Sequence, residues 1–390
     1  MKGKAVPDNY TANHKCASNF FNRFITQENE YLLGNGVTFT DSKTKEKLGA
    51  DFDTRLQEAG KWALIGAVSF GFWNYDHLEV FKSTEFCPLY DEEDGALKAG
   101  IRWRRINSQK PLRITLYELD GYTEYIIRTE GSKDIYEVHN PKRTYIQVEE
   151  SSPAEGTKIY DYTNYPGFPI IPLWGNQYHQ SEIVGIRGQI DAYDLIKSGF
   201  ANDLDDCSMI YWTIQNAGGM TDMDLAKFIE HMKTVKAAAV DGEDGAKAEA
   251  HTLEVPYQSR ETYLKRLEND MYNDFMALNV TQISAQNVTA TQINAAYEPL
   301  NSKVDEFEYC VIDFIQGILR LIGTEDNPTF QRSKIVNQNE ETQMVLMAAN
   351  YLDDETILKK LPWLTPEEIE EIIEKRDKDD FNRFGGGGEE

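Results

Sequence analysis

Cysteine is scarce in this chain, with four among 390 residues, at Cys16, Cys87, Cys207 and Cys310. None lies close in sequence to another, which argues against a disulfide scaffold or a Cys-based zinc site and suits a reducing compartment. Cations are also short: 40 Lys and Arg stand against 65 Asp and Glu, a net charge of −25. A protein that grips phosphates draws its affinity from counterion release by surplus Lys and Arg. This acid excess therefore argues against simple nucleic-acid binding, and its plainest use is solubility. Long apolar runs are missing. The best, YCVIDFIQGILRLIG (309–323), is short for a membrane span and carries Asp313 and Arg320. The opening MKGKAVPDNY is followed by no apolar segment, so no secretory signal is expected.

Catalytic patterns are missing as well. The six histidines, His14, His77, His139, His179, His231 and His251, show neither HExxH nor any paired-ligand spacing. GIRG (185–188) lacks the Lys-Ser/Thr of a phosphate loop, GNG (34–36) reads as a helix end, and no GxSxG occurs. Adjacent carboxylates such as Asp205–Asp206 and Glu92–Glu93 arise by chance in so acidic a chain, and a solvated helix face explains them. The expectation is a protein without catalytic, cofactor or metal residues. The rivals are a cytosolic hydrolase built on paired carboxylates, which requires a pocket with two facing acids, and a monomeric acidic binding module.

What is present is a folded chain, 41% apolar and 12% aromatic, long enough for more than one domain. Its centre is the run IVGIRGQIDAYDLIKSGFANDLDDCSMIYW from Ile183. Ile190, Tyr193, Ile196, Phe200 and Leu204 recur at helical steps, with Asp191, Asp194, Asp205 and Asp206 largely on the other side. From Arg187 to Ser208 that helix would reach roughly 33 Å at ~1.5 Å per residue. A return run, SRETYLKRLENDMYNDFMALN, sets Tyr263, Leu264, Leu267, Met271 and Phe275 on a similar stripe. Between them lie a β-like MIYWTIQNAGG, a helix candidate MTDMDLAKFIEHMKTVKAAAV capped by Thr221 or Asp222, an acidic loop DGEDGAKAEA, and a β-like HTLEVPY. A polar uncharged tract, NVTQISAQNVTATQ, follows the return run, and then a third long helix to Gly323.

Elsewhere, residues 11–33 read as a helix ending at Gly34, with Asn35–Gly36 as a turn. DFDTRLQEAGKWALIGA reads as a helix interrupted by Gly60, and residues 70–147 read as strands with Asp120–Gly121 as a hairpin turn. Residues 149–182, rich in Pro and Gly, read as loop. Near the end, Asp353 or Asp354 is placed to cap ETILKKL. Thr365-Pro366-Glu367-Glu368 is a capping box opening a helix that buries Ile369, Ile372 and Ile373, and GGGGEE has nothing to pack.

This order resembles the portal proteins of tailed bacteriophages, especially long-tailed ones, over nearly the whole chain. The resemblance rests on YPGFPIIPLWGNQYHQSEIVGIRGQIDAYDLIKSGFANDLDD, on the N-terminal NHKCASNFFNRFITQENEYLLGNGVTF and on the C-terminal NQNEETQMVLMAANYLDDETILKKLPWLTPEEIEEI. It implies an α+β, mainly helical subunit assembled as a ring. Residues 1–182 would form the wing, 183–206 and 258–278 the two stem helices, and 207–257 the clip. Residues 279–292 would be the tunnel loop, 293–323 a long wing helix, 324–384 a small helical crown and 385–390 a disordered tail.

The resemblance also implies a ring of twelve at one capsid vertex of the virion, made in the host cytoplasm, with no membrane partner. Double-stranded DNA would pass through it without sequence specificity, inward in packaging and outward in ejection. Large terminase, head–tail adaptor, major capsid and scaffolding proteins would be its partners. A head–tail connector ring is the alternative within the same particle, but such adaptors are shorter and lack the helix–head–helix order.

The site residues are accordingly surfaces. Asn279, Thr281, Gln282, Ser284, Gln286, Asn287, Thr289, Thr291 and Gln292 would line the narrow part of the channel, offering hydrogen bonds without binding charge. Asp191, Asp194, Asp205 and Asp206 would face the bore. Tyr211, Trp212 and Ile214, with the local cations Lys233, Lys236 and Lys247, would form the docking face of the clip.

Overall fold

In the computed structural model the long amphipathic runs are helices. The structure describes residues 13–130, 133–151, 158–207, 211–215, 247–251, 257–280, 290–333 and 354–359, with Met223, Ala226, Lys227, Glu230, Met347, Ile369, Ile372, Ile373 and Lys375. The order opens with α1 (Phe20–Leu33), β1 (Val37–Thr38), α2 (Ser42–Leu48), α3 (Phe52–Gly66), β2 (Val68–Asn74) and β3 (His77–Lys82). It continues with β4 (Phe86–Tyr90), β5 (Leu97–Arg104), β6 (Leu112–Glu118), β7 (Gly121–Glu130), β8 (Lys133–Arg143), β9 (Ile146–Ser151), β10 (Lys158–Thr163) and β11 (Ile170–Trp174). It closes with α4 (Arg187–Cys207), β12 (Tyr211–Gln215), β13 (Lys247–His251), α5 (Tyr257–Phe275), α6 (Ala290–Leu321), β14 (Thr329–Phe330) and α7 (Asp354–Lys359). The fold is mixed α/β, in two units: Met1–Arg23 with Ile183–Phe275, and Phe24–Glu182 with Met276–Glu390. Among the described residues no helix is long and apolar enough to cross a membrane.

In the first unit α4 and α5 lie against each other. Gln189 donates to Asp274 and Arg260 pairs with Asp203, so the two helices run antiparallel. Leu267, Met271 and Phe275 are buried as their spacing predicts. The α4 stripe is covered less well, and Leu204 remains 54% exposed. β12 and β13 form an antiparallel ribbon, with Trp212 opposite Ala250 and Ile214 opposite Ala248. The second strand of this ribbon is Lys247–His251, not HTLEVPY: the alternating KAEAH segment takes the backbone pairing, and the expected strand shares only His251 with it.

α1 begins in residues of the first unit, at Phe20 rather than at residue 11, with residues 13–19 before it neither helix nor strand, and the rest of α1 belongs to the second unit. It ends where expected: Gly34 N–H returns to Glu30 O and Gly36 adopts φ 75°. α3 runs through Gly60 without a break. There the absent side chain is a packing requirement, since a β-carbon would collide with Asn29 Oδ1 and lie 3.2 Å from Phe307 Cζ. α6 closes with Gly323 at φ 65°. Thr324 N–H reaches Leu319 O and Gly323 N–H reaches Arg320 O, the paired bonds of a Schellman end.

The strands form a three-stranded sheet (β11-β2-β3), a five-stranded sheet (β4-β5-β6-β7-β8) and two ribbons, β9–β10 and β1–β14. An aromatic core of Phe70, Phe72, Phe81, Phe86, Tyr117 and Tyr145 joins the two larger sheets. Two expectations are corrected here. The β6–β7 loop is Leu119–Asp120, because Gly121 is already paired with Glu118. Gly121 has φ 140° and its missing β-carbon leaves room for the Arg143 carbonyl. Residues 149–182 are not all loop but contain the end of β9, β10 and β11. Pro172 is tolerated in β11 because that strand lies at a sheet edge, where one row of N–H groups needs no partner. The helix candidate after Gly219 is described only at Met223, Ala226, Lys227 and Glu230, all helical. The Thr221/Asp222 cap, the Thr365 capping box and the GGGGEE tail lie outside the described residues.

One buried ionic cluster ties three segments of this unit. Lys303 of α6 lies 2.5 Å from Glu182 and 3.6 Å from Glu28 of α1, which is 1% exposed. Burial pushes the Glu28 carboxyl up to about 8, against the opposing pull of Lys303. The folded chain thus holds a proton that an unfolded Glu28 releases near 4.5. Stability from this site is fully present below that value and is lost as pH rises through about 8. Thermal unfolding should therefore fall between pH 5 and 8 in the wild type, and Glu28→Gln should flatten that slope. Equal slopes in the two proteins would refute the assignment. Gly60→Ala should cost about 1–3 kcal/mol by overpacking against Asn29 and Phe307, read from denaturant midpoints.

Candidate functional site

Residues 13–19 form a strap along α4. The N–H groups of His14, Cys16 and Ser18 donate to Asn202 Oδ1 (2.6 Å), Ser198 Oγ (2.9 Å) and Asp194 Oδ1 (2.8 Å). Acceptors four apart on a helix recur every ~6 Å, and alternate N–H groups of an extended chain every ~6.8 Å. The two repeats stay in step for three bonds, so the strap runs antiparallel to the helix. Beyond them His14 Nε2 and Asp205 Oδ2 lie 2.5 Å apart. At the near end Phe20 stands edge-on to Tyr193 (5.0 Å) and Tyr272 (6.5 Å), and Arg23 donates to the Tyr272 hydroxyl at 2.6 Å. Burial raises both tyrosine hydroxyls above their ordinary range, so they stay neutral.

The four α4 acids differ in their relation to this strap. Asp194 and Asp205 are engaged by the chain's own N-terminal segment. Asp191 is exposed and lies 3.7 Å from Arg187 one turn earlier. Asp206 is in the helix, but its side chain is outside the described residues. Ser198, Asn202 and Ser18 were missed by sequence reasoning. Their signal was the four-residue spacing Asp194, Ser198, Asn202, which on a polar face looks like ordinary solvation.

Of the polar tract, Asn279 follows Leu278, whose N–H and carbonyl are both held by the Gln27 amide at 3.0 and 3.1 Å. Gln292 is exposed on α6 and Thr291 is helical in backbone. Thr281, Gln282, Ser284, Gln286, Asn287 and Thr289 lie outside the described residues, as do Lys233 and Lys236. Tyr211, Trp212 and Ile214 share the ribbon with Lys247, which pairs with Gln215 in backbone.

Among the described residues no group of three or more His, Cys, Asp or Glu could hold a metal ion. An open cavity of about 660 Å³ is lined by Thr40, Asp41, Gln316, Arg320, Glu325 and Asp326. Its Asp326 carboxyl is held down near 2, first by the Asp41 N–H and further by the Thr44 hydroxyl and Thr40 N–H. That carboxylate fastens a loop and is spent as an acid or base.

Cys16 sits mid-strap and is half-buried, so its thiol reports release of the strap. Ser198→Ala with Asn202→Ala removes two acceptors worth ~1 kcal/mol each. Thiol labelling of Cys16 should speed up at least about tenfold, with exposed Cys87 as the unchanged control. An unaltered Cys16 rate would mean that the ladder does not hold the strap.

Comparison with known proteins completes the picture. The family described as "Phage portal protein, SPP1 Gp6-like" matches residues 2–380. The portal protein of Bacillus phage SPP1 is 23% identical over 402 aligned residues, covering 94% of this chain and 76% of that protein. The portal protein of Clostridium phage phiCD119 is 23% identical over 296, covering 68% of this chain and 65% of that protein, slightly under two thirds of its length. Among solved structures, chains from the neck of an empty gene transfer agent particle (TM-score 0.51, 12% identity, 87% of this chain and 89% of that one) and from a native particle of the same kind (0.50, 13%, 86% and 87%) share the fold. Spanned almost end to end by this family, the chain belongs to the SPP1 Gp6-like phage portal proteins, a structural and non-enzymatic family.

Proposed function

We propose that this chain is the repeating subunit of a portal ring at one capsid vertex of a virion, twelve copies around a channel. Double-stranded DNA passes through that channel during packaging and ejection, and the ring's outer end receives the large terminase and later the head–tail adaptor. Capsid and scaffolding proteins surround it. The observation that carries this reading is the family match over residues 2–380. The order α4, ribbon β12–β13, α5 agrees with it: two long helices as the stem, the ribbon as the core of the clip, and residues 279–292 as the tunnel loop. The β-rich part with α6 then serves as the wing, and residues 324–384 as the crown.

Physical chemistry supports the ring in two ways. The α4–α5 pair leaves Leu195 72%, Leu204 54% and Tyr263 48% exposed, apolar surface that a neighbouring copy can cover. A net charge of −25 suits a conduit that must not hold its cargo, since an acidic wall repels phosphate and lets a duplex slide. ATP hydrolysis belongs in this scheme to the terminase.

Light scattering with negative-stain imaging of the same fraction tests the proposal. A ring of about twelve with an open centre is the expected outcome. A compact dimer without a channel would sink it.

A further inference from the structure

The five-stranded sheet is electrically polarised along its strands. Residues Gly95 to Tyr117 contain six Lys and Arg and no Asp or Glu, in a chain where acids outnumber bases 65 to 40. Lys98 is neutralised by Asp91 (2.7 Å) and Asp94 (2.9 Å), and Arg102 by Glu79 (3.0 Å). The other four, Arg104, Arg105, Lys110 and Arg113, gather at the β5–β6 hairpin and pair with no carboxylate among the described residues. Arg104 and Arg113 stand directly opposite each other in register. Like charges so placed destabilise a sheet, so the pair is costly without an external anion. Of the acids toward this end, Glu85 lies 3.8 Å from Lys82 and Asp134 belongs to β8.

The opposite end of the same strands is acidic. The β4–β5 loop carries Asp91, Glu92, Glu93 and Asp94, and the β6–β7 turn adds Glu118 and Asp120. Lys98 and Lys142 cover four of these acids, Lys142 reaching Glu118 (3.0 Å) and Asp120 (2.5 Å), while Arg143 lies at the end of β8. Glu92 and Glu93 stay exposed with no ion pair among the described residues. The eight residues of β5 separate the two ends by about 25 Å at ~3.3 Å each.

We infer that the basic β5–β6 hairpin of one copy docks on the acidic β4–β5 loop of the next. The inference rests on the ring reading. A head-to-tail interface needs two different, complementary surfaces on one subunit, which is what closes a ring rather than a two-fold dimer. The partner is a second copy of this chain rather than nucleic acid for two reasons. Ile106, 68% exposed, sits among the arginines, where an apolar side chain matches protein and not phosphate. Subunits of net charge −25 also repel one another on assembly, and complementary ends offset that locally.

Charge swapping provides the test. R104E/R105E/R113E and E92K/E93K should each weaken assembly at least about tenfold in native mass spectrometry or sedimentation, and the wild type should lose affinity with added salt. Mixed in equal parts, the two variants should co-assemble, since each supplies the end the other lacks. R104E alone places opposite charges across the strand pair, so it should melt no lower than the wild type while assembling less well. Normal assembly of both multiple variants would overturn the inference and leave the ring reading standing. A wild type that never assembles would overturn both. If the arginine variant assembles normally but loses retardation of a DNA duplex on gels, the hairpin contacts phosphate and the inference fails.

Discussion

The seating of α6 depends on three missing β-carbons. Gly60 of α3 leaves room for Phe307, Gly71 of β2 for Phe314, and Gly317 of α6 itself for Ile171 of β11. Phe307 and Phe314 are seven residues apart, two turns of helix, so they face the same way and reach two different layers. A methyl group at any of these positions has to displace a neighbouring side chain, and a close-packed interior leaves little room for it to move. β2 then carries the constraint outward. Phe72 meets Tyr117 of β6 at 5.3 Å between ring centroids, and Phe70 meets Phe86 of β4 at 4.5 Å. The five-stranded sheet is thus held in place by the same strand that accepts the helix.

Charge is managed by local pairing rather than by overall balance. Among the described residues many cations sit within reach of one or two carboxylates, as Lys142 does between Glu118 and Asp120 and Arg332 between Asp305 and Glu308. Surface pairs of this kind contribute little stability each, so their role is chiefly to quiet repulsion. Lys303 is different because Glu182 and Glu28 meet it in the interior. One cation cannot compensate two buried carboxylates, and the more deeply buried one, Glu28, keeps its proton.

Periodic features within one segment were legible in the sequence, and contacts between distant segments were not. The stripes of α4 and α5 and the Gly34 helix end declare themselves through spacing that any helix must obey. The strap was illegible because its bonds run from backbone N–H groups, which carry no residue identity, to Asp194, Ser198 and Asn202, which look like any wet helix face. Gly60 was read as an interruption because helix propensity counts its entropy and not the approach of Phe307. The hairpin slipped by one residue because Asp-Gly is the usual turn pair, whereas Gly121 is used here for close contact with the Arg143 carbonyl. The Glu28–Lys303–Glu182 cluster draws its members from positions far apart in the chain, and no local pattern links them.

The strap also bears on how α4 would sit in the proposed ring. Residues on a helix are about 100° apart, so Ser198, Asn202 and Asp205 fall within about 80° of Asp194 and make one face. Asp203, which pairs with Arg260 of α5, falls about 180° away. The strap and α5 therefore cover opposite sides of the helix, one polar and one mixed. Exposed Leu195 lies about 100° from Asp194 and exposed Leu204 about 280°, on the two uncovered edges. A two-fold dimer presents one patch to one partner and would leave one of these edges bare. A subunit with a neighbour on each side covers both. The strap engages Asp194 and Asp205 on its own face, while Asp191 lies exposed beyond the strap's last bond.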